Sequence, residues 1–223
     1  LIRDELGDAA GTRAALERLL ALEPGQTQGL MLDAKLRLEA EEERPFQRIE
    51  AALEEQPDNS ALRLQYARLL TRSDIGAARR QFEILSARSP RDGDLLLSLA
   101  LLNQDAGDTL AAKAYLRQVL ALEQRVDEAN YYLGRILEQE GRPEEAIAAY
   151  TQVEDPSSRE FFNARGRVGR LLIEQGNVSE SAAFFDQQRA SYPTLTEQLF
   201  ALESELLTRA SLLEASLALL DQA

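Results

Sequence analysis

The same phrase closes at prolines 24, 57 and 90, each 33 residues after the last: LLALEP, ALEEQP, LSARSP. A fixed period of this length is the signature of a chain built from repeated supersecondary units. About ten residues after each proline a small residue sits inside a helical run: Ala34 in LDAKLRL, Ala67 in QYARLL, Ala100 in SLALLNQ. The series continues with Gly134, Gly169 and, more weakly, Ser204, at spacings of 33, 33, 34, 35 and 35. Seven residues after three of these small positions stands a glycine, Gly107, Gly141 or Gly176, and Gly7 takes that role in the first unit. Five residues further comes a second small position, Ala112, Ala146, Ser181 or Ser216. Four more bring a large apolar one, Leu116, Tyr150, Phe185 or Leu220.

The stretch GRPEEAIAAY (Gly141–Tyr150) shows what each part does. Gly141 frees the backbone for a tight turn at the end of one helix. Pro143 suits the first turn of the next helix, where its missing N–H has no partner to lose. Glu144 and Glu145 sit where the helix dipole favours negative charge. Ala146, Ile147 and Tyr150 fall on one face. Ala146 is small where a neighbouring helix crosses closely, and Tyr150 fills the gap one turn on. A helical hairpin of this kind cannot bury its apolar face alone, so successive hairpins stack.

Composition agrees. The chain has 223 residues, 44% hydrophobic and 28% charged, dominated by Leu, Ala, Glu, Gln and Arg. These are good helix formers, strand patterns are nearly absent, and the chain reads as all-α. Without histidine or cysteine it has no disulfide, no Cys or His nucleophile, no His general base and almost no route to a zinc site. No cofactor or metal is expected. A net charge of −13 opposes nucleic acid and anionic lipid. No run approaches the ~18 continuous apolar residues of a membrane span. Lys35 and Lys113 are the only lysines, an arginine bias that points to a GC-rich bacterial source.

The recurring set in YYLGRILEQEGRPEEAIAAY resembles the tetratricopeptide repeat (TPR) family, whose unit is an antiparallel helix pair closed by proline. The resemblance covers the whole chain. It implies a right-handed TPR superhelix, an α-solenoid of about six helix pairs in a single domain. The approximate units are 1–24, 25–57, 58–90, 91–124, 125–158, 159–193 and 194–223. There are departures. No helix A carries the family's first aromatic, the second helix B is expected to begin at Pro45 after a shortened turn, and Gln124 replaces a closing proline. EDPSSRE (Glu154–Glu160) lengthens one linker and is expected to kink the stack. Leu1–Leu6 reads as the end of a helix A and LALLDQA as an interrupted helix B, so a fragment truncated at both ends is expected.

In that family helix A lines a concave groove that binds peptides or partner proteins. The positions implied to face it carry Lys35, Arg68, Leu101, Arg135, Arg170 and Glu205, mostly basic in an acidic protein. One turn earlier stand Met31, Leu64, Leu97 and Tyr131, with Gln65, Tyr132 and Arg167 beside them. The resemblance thus implies an apolar floor with a column of positive charge, suited to an acidic or C-terminal segment. The alternative is that these cations pair with groove acids such as Glu39, Asp94, Asp105, Glu128, Glu138 and Glu174. The two-carboxylate clamp of chaperone-binding members needs asparagines where Lys35, Arg68 and Arg135 stand, so a chaperone tail is not expected. GRVG, the acidic run Glu41–Glu43 and the Asn177-Val-Ser179 sequon carry no better chemistry; Phe161-Phe162 and Phe184-Phe185 read as core. In overall style the chain is similar to bacterial TPR lipoproteins of the outer membrane, some of which bring substrates to a periplasmic carboxyl-terminal processing protease. The expectation is a non-enzymatic adaptor, periplasmic or outer-membrane-attached, with a homo-oligomer also conceivable. A substrate-selecting region of a larger enzyme and a self-assembling module are the alternatives.

Overall fold

The computed structural model describes residues 9–211. The readings made above for Leu1–Leu6, Gly7, Ser216, Leu220 and the closing LALLDQA lie outside them. All regular structure among the described residues is helical: α1 (Ala9–Leu22), α2 (Thr27–Glu39), α3 (Gln47–Glu55), α4 (Ser60–Leu70), α5 (Ile75–Arg88), α6 (Gly93–Asp105), α7 (Thr109–Ala121), α8 (Val126–Gln139), α9 (Pro143–Thr151), α10 (Phe161–Glu174), α11 (Val178–Ser191) and α12 (Thr196–Arg209), with one short 3₁₀ turn at Pro193–Leu195. No described helix is long and apolar enough to cross a membrane. The chain divides into two compact units, Leu1–Leu102 and Asn103–Ala223.

Within the first unit, α4 packs on α5, and α2 touches α1, α3 and α4. Leu30, Ala34, Ile49, Leu62, Tyr66, Ala67, Ala78 and Phe82 form its interior. The carboxylate of buried Asp33 accepts from Arg37 at 2.7 Å and from Arg48 at 3.2 Å, and Arg48 reaches Glu17 at 2.7 Å, tying α1, α2 and α3 together. The second helix B starts at Gln47, not at Pro45. Pro45 and Phe46 form a turn instead, and the Phe46 ring leans on Tyr66 at 5.3 Å between centroids, which takes Phe46 out of the helical path.

In the second unit each helix packs on the next from α7 to α12, and α10 also touches α12, the helix-A-on-helix-A contact that stacking requires. Its interior holds Ala146, Tyr150, Val153, Ala164 and Val168, with Phe161, Phe185 and Leu199 fully buried. The repeat's small positions are set by ring size. A Cβ built on Gly134 would lie 2.6 Å from the Tyr150 ring, and one on Gly169 2.6 Å from Phe185 and 2.8 Å from Leu206. Real Cβ atoms essentially never approach so closely, so at these two positions the opposing helix-B ring leaves room for glycine alone.

The turns repeat as well. Gly107, Gly141 and Gly176 have φ of +80°, +71° and +82°. The residue after each donates its N–H to the carbonyl five residues back: Asp108 to Asn103 at 2.8 Å, Arg142 to Leu137 at 3.0 Å, Asn177 to Leu172 at 2.9 Å. This is the left-handed helix ending that satisfies otherwise orphaned carbonyls. Two hairpins make the same ending without glycine. Glu41 (φ +53°) precedes a Glu42-to-Arg37 bond of 3.0 Å, and Glu123 (φ +54°) a Gln124-to-Val119 bond of 3.4 Å. A side chain in this region costs roughly 1–2 kcal/mol. The long linker after α9 is held rather than loose. Asp127 accepts the N–H groups of Glu154 and Asp155 at 3.1 and 3.0 Å. Buried Arg165 donates to the Val153 carbonyl at 2.6 Å while its guanidinium lies 3.4 Å from the Phe161 ring centroid.

Two outcomes are expected in urea unfolding. Ala146→Leu overpacks a fully buried helix crossing and costs about 1–3 kcal/mol, while Ala148→Leu on the exposed face costs far less. Glu123→Gly relieves the left-handed strain and stabilises by roughly 0.5–1 kcal/mol.

Candidate functional site

The basic positions on the helix-A faces fall into two sets, one in each unit. In the first unit Lys35, Gln65 and Arg68 are exposed, and Met31 and Leu64 are half-buried. Among the described residues the Lys35 and Arg68 side chains have no ion-pair partner. Leu97 corrects the expectation of an apolar floor at that position: it is only 6% exposed and belongs to the interior. Helix α6 is apolar around much of its circumference, with Leu95, Leu96, Leu97 and Leu99 all buried, so spacing alone did not tell which leucine faces out.

In the second unit the residues come together. Tyr131, Tyr132, Arg135 and Glu138 share one face of α8, and Arg167 and Arg170, one turn apart on α10, reach across to it. Tyr131 lies edge-on to Tyr132, with centroids 5.5 Å apart, and 5.8 Å from Tyr150. The Arg135 guanidinium stands 5.7 Å from the Tyr132 centroid, an attraction between a cation and the negative ring face. Glu138 is the hub. It accepts from Arg167 Nη1 at 3.0 and 3.3 Å, from Arg170 Nη2, and from the Tyr150 hydroxyl at 2.8 Å. The side chains of Arg167 and Arg170 remain 37% and 40% exposed, and Arg170 Nη1 lies 3.7 Å from Glu174. Pairing with groove acids therefore holds for Arg167 and Arg170.

Burial acts to push the Glu138 carboxyl up, but the Tyr150 hydroxyl and the two guanidiniums outweigh it and hold the group below its ordinary value. Burial and the adjoining Glu138 carboxylate raise the Tyr150 hydroxyl well above the usual phenol range, so it stays a proton donor. The hydroxyl's role was not legible from the repeat, which needs only bulk there; the signal was a tyrosine at a position where the next repeat uses Phe185.

Set against known proteins, residues 97–161 match the tetratricopeptide repeat family model. The TPR repeat-containing protein PA4667 of Pseudomonas aeruginosa is 33% identical over 83 residues, 37% of this chain, and the chain spans only 14% of that relative's length. Two solved structures share the fold. PilW, a type IV pilus biogenesis factor, is 18% identical with a TM-score of 0.57, over 85% of this chain and 88% of that one. YrrB, a TPR protein with an unusual peptide-binding site, is 17% identical with a TM-score of 0.53, over 78% and 89%. The fold is a tetratricopeptide-type α-solenoid, residues 97–161 match the TPR family model, and the Pseudomonas relative fits a bacterial protein.

A carboxyl whose folded pKa is depressed stabilises above the unfolded value of 4.5 and loses that stabilisation as pH falls through the folded value. The stability gap between the protein and Glu138→Gln is therefore expected to narrow as the pH falls through and below 4.5, read by urea titration at each pH.

Proposed function

We propose that the chain is a non-catalytic docking scaffold whose helix-A face on α8 and α10 receives a carboxylate-bearing segment of a partner protein. The tetratricopeptide fold supports a protein-interaction scaffold in general. The observation that carries the finer reading is the gathering of Arg135, Arg167 and Arg170 beside Tyr131 and Tyr132, in a protein whose net charge is −13. Guanidinium forks bind carboxylates through two parallel hydrogen bonds, and half-buried tyrosine rings offer apolar area for the side chains between them. Met31, Leu64, Gln65, Lys35 and Arg68 form a second, separate candidate surface in the first unit. YrrB, a TPR protein with a peptide-binding site, is one instance of such a use of the fold. A bacterial envelope setting, with a protease among the partners, stays within this proposal.

The test is capture from a lysate of the source cell with three baits of equal helical content: the protein itself, Arg135→Glu/Arg167→Glu/Arg170→Glu, and Lys35→Glu/Arg68→Glu. The reading expects at least one acidic partner, or one with an acidic C-terminal tail, to be held by the first and third baits and lost by the second. Identical catches from all three would overturn it.

A further inference from the structure

We propose that Glu138 is an internal competitor: a carboxylate of the protein's own that occupies the inner edges of Arg167 and Arg170 and so sets how tightly they hold a carboxylate of a partner peptide. The inference rests on the docking reading above and adds a regulating residue to it.

Three observations carry it. First, the geometry is that of a bound ligand: one carboxylate receives both guanidiniums and a phenol. Second, Glu138 is anchored from within. The Tyr150 ring is fully buried, and its hydroxyl, absent from the equivalent Phe185, does no packing work that a phenyl ring could not do. Third, the carboxylate is peculiar to this repeat. The position four residues after each small one is Leu38, Thr71, Gln104, Glu138, Ile173 and Thr208. Neither the hairpin nor the stack calls for an acid there. Only the repeat that faces two arginines has one.

Glu138 does not fill the site. Arg167 meets it through Nη1 alone and Arg170 through Nη2, while Arg170 Nη1 lies 3.7 Å from the exposed Glu174, and both arginine side chains stay more than a third exposed. A partner carboxylate binding there meets two cations close by, the anchored Glu138 behind them and the solvent-exposed Glu174 beside Arg170. Removing the Glu138 charge makes the local balance one unit more positive. Because the anion is held by a hydroxyl from the core, an incoming segment cannot displace it cheaply, and the competition is built into every encounter.

The probe is a fluorescein-labelled hexaglutamate peptide, followed by fluorescence anisotropy at low salt. Glu138→Gln is close to isosteric and is expected to bind roughly fivefold to tenfold tighter than the parent protein, with the gain shrinking as salt is added. The gain is expected to vanish in Glu138→Gln/Arg167→Gln/Arg170→Gln. Tyr150→Phe, which keeps every charge but releases the anchor, is expected to bind tighter by a smaller factor, and it serves if the Gln variant fails to fold. Equal or weaker binding by a folded Glu138→Gln, or weaker binding by Tyr150→Phe, overturns the competitor. If Arg167→Gln/Arg170→Gln also weakens the parent's binding, the docking reading survives that failure. If neither the parent nor Glu138→Gln binds the peptide, the docking reading falls, and the competitor with it.

Discussion

The second unit depends on one steric fit, a helix-A residue with no side chain against a helix-B ring. Gly134 admits Tyr150, and Gly169 admits Phe185 together with Leu206. Each ring fills space that would otherwise separate the helices, and each glycine lets the backbones close on it. Interiors are packed to the density of organic crystals, so neither partner can change size alone. The close fit brings α8 and α10 within reach of one another's long side chains, and without it Arg167 and Arg170 would not meet Glu138.

Charge is distributed unevenly over this frame. The excess acid lies mostly in solvent, where pairs such as Arg142 with Glu145 are worth about 0–1 kcal/mol. Buried charges are mostly engaged, with Arg63 an exception: it donates to Gln81 and to the Pro57 carbonyl, and its Nε has no hydrogen-bond partner among the described residues. Arg189 and Glu203 pair at 2.6 Å between α11 and α12, and Arg165 is fully engaged with carbonyls and rings. The cations on α8 and α10 stand between these cases. They are partly exposed, oriented by a neighbouring acid and a tyrosine ring, and still have hydrogen-bond donors to offer, which makes them a surface for recognition more than a source of stability.

The fold was legible because its rules are local and repeat. Small residues, turn glycines and closing prolines recur in phase, and Gly107, Gly141 and Gly176 are left-handed as their spacing requires. What escaped were places where the tertiary fit overrides the local rule. Glu41 and Glu123 take the glycine conformation because the hairpin must close there, whatever residue the position holds. Pro45 reads as a helix start, yet the contact of Phe46 with Tyr66 delays the helix to Gln47. At the candidate site the arginines and tyrosines were visible as types at positions. Their convergence on Glu138, the anchoring by the Tyr150 hydroxyl and the burial of Leu97 depend on which helix lies opposite, and a single sequence does not carry that.

If Gly134 in helix A and the Tyr150 ring in helix B act as one feature, a double-mutant cycle on Gly134→Ala and Tyr150→Leu will show it. Gly134→Ala alone should destabilise by about 1–3 kcal/mol, because the new methyl group meets the ring. In the Tyr150→Leu background the same change should cost little, giving a coupling of about 1 kcal/mol or more. Additive effects, with Gly134→Ala equally costly in both backgrounds, would mean that the glycine serves the helix backbone alone and that the two positions do not define the repeat together.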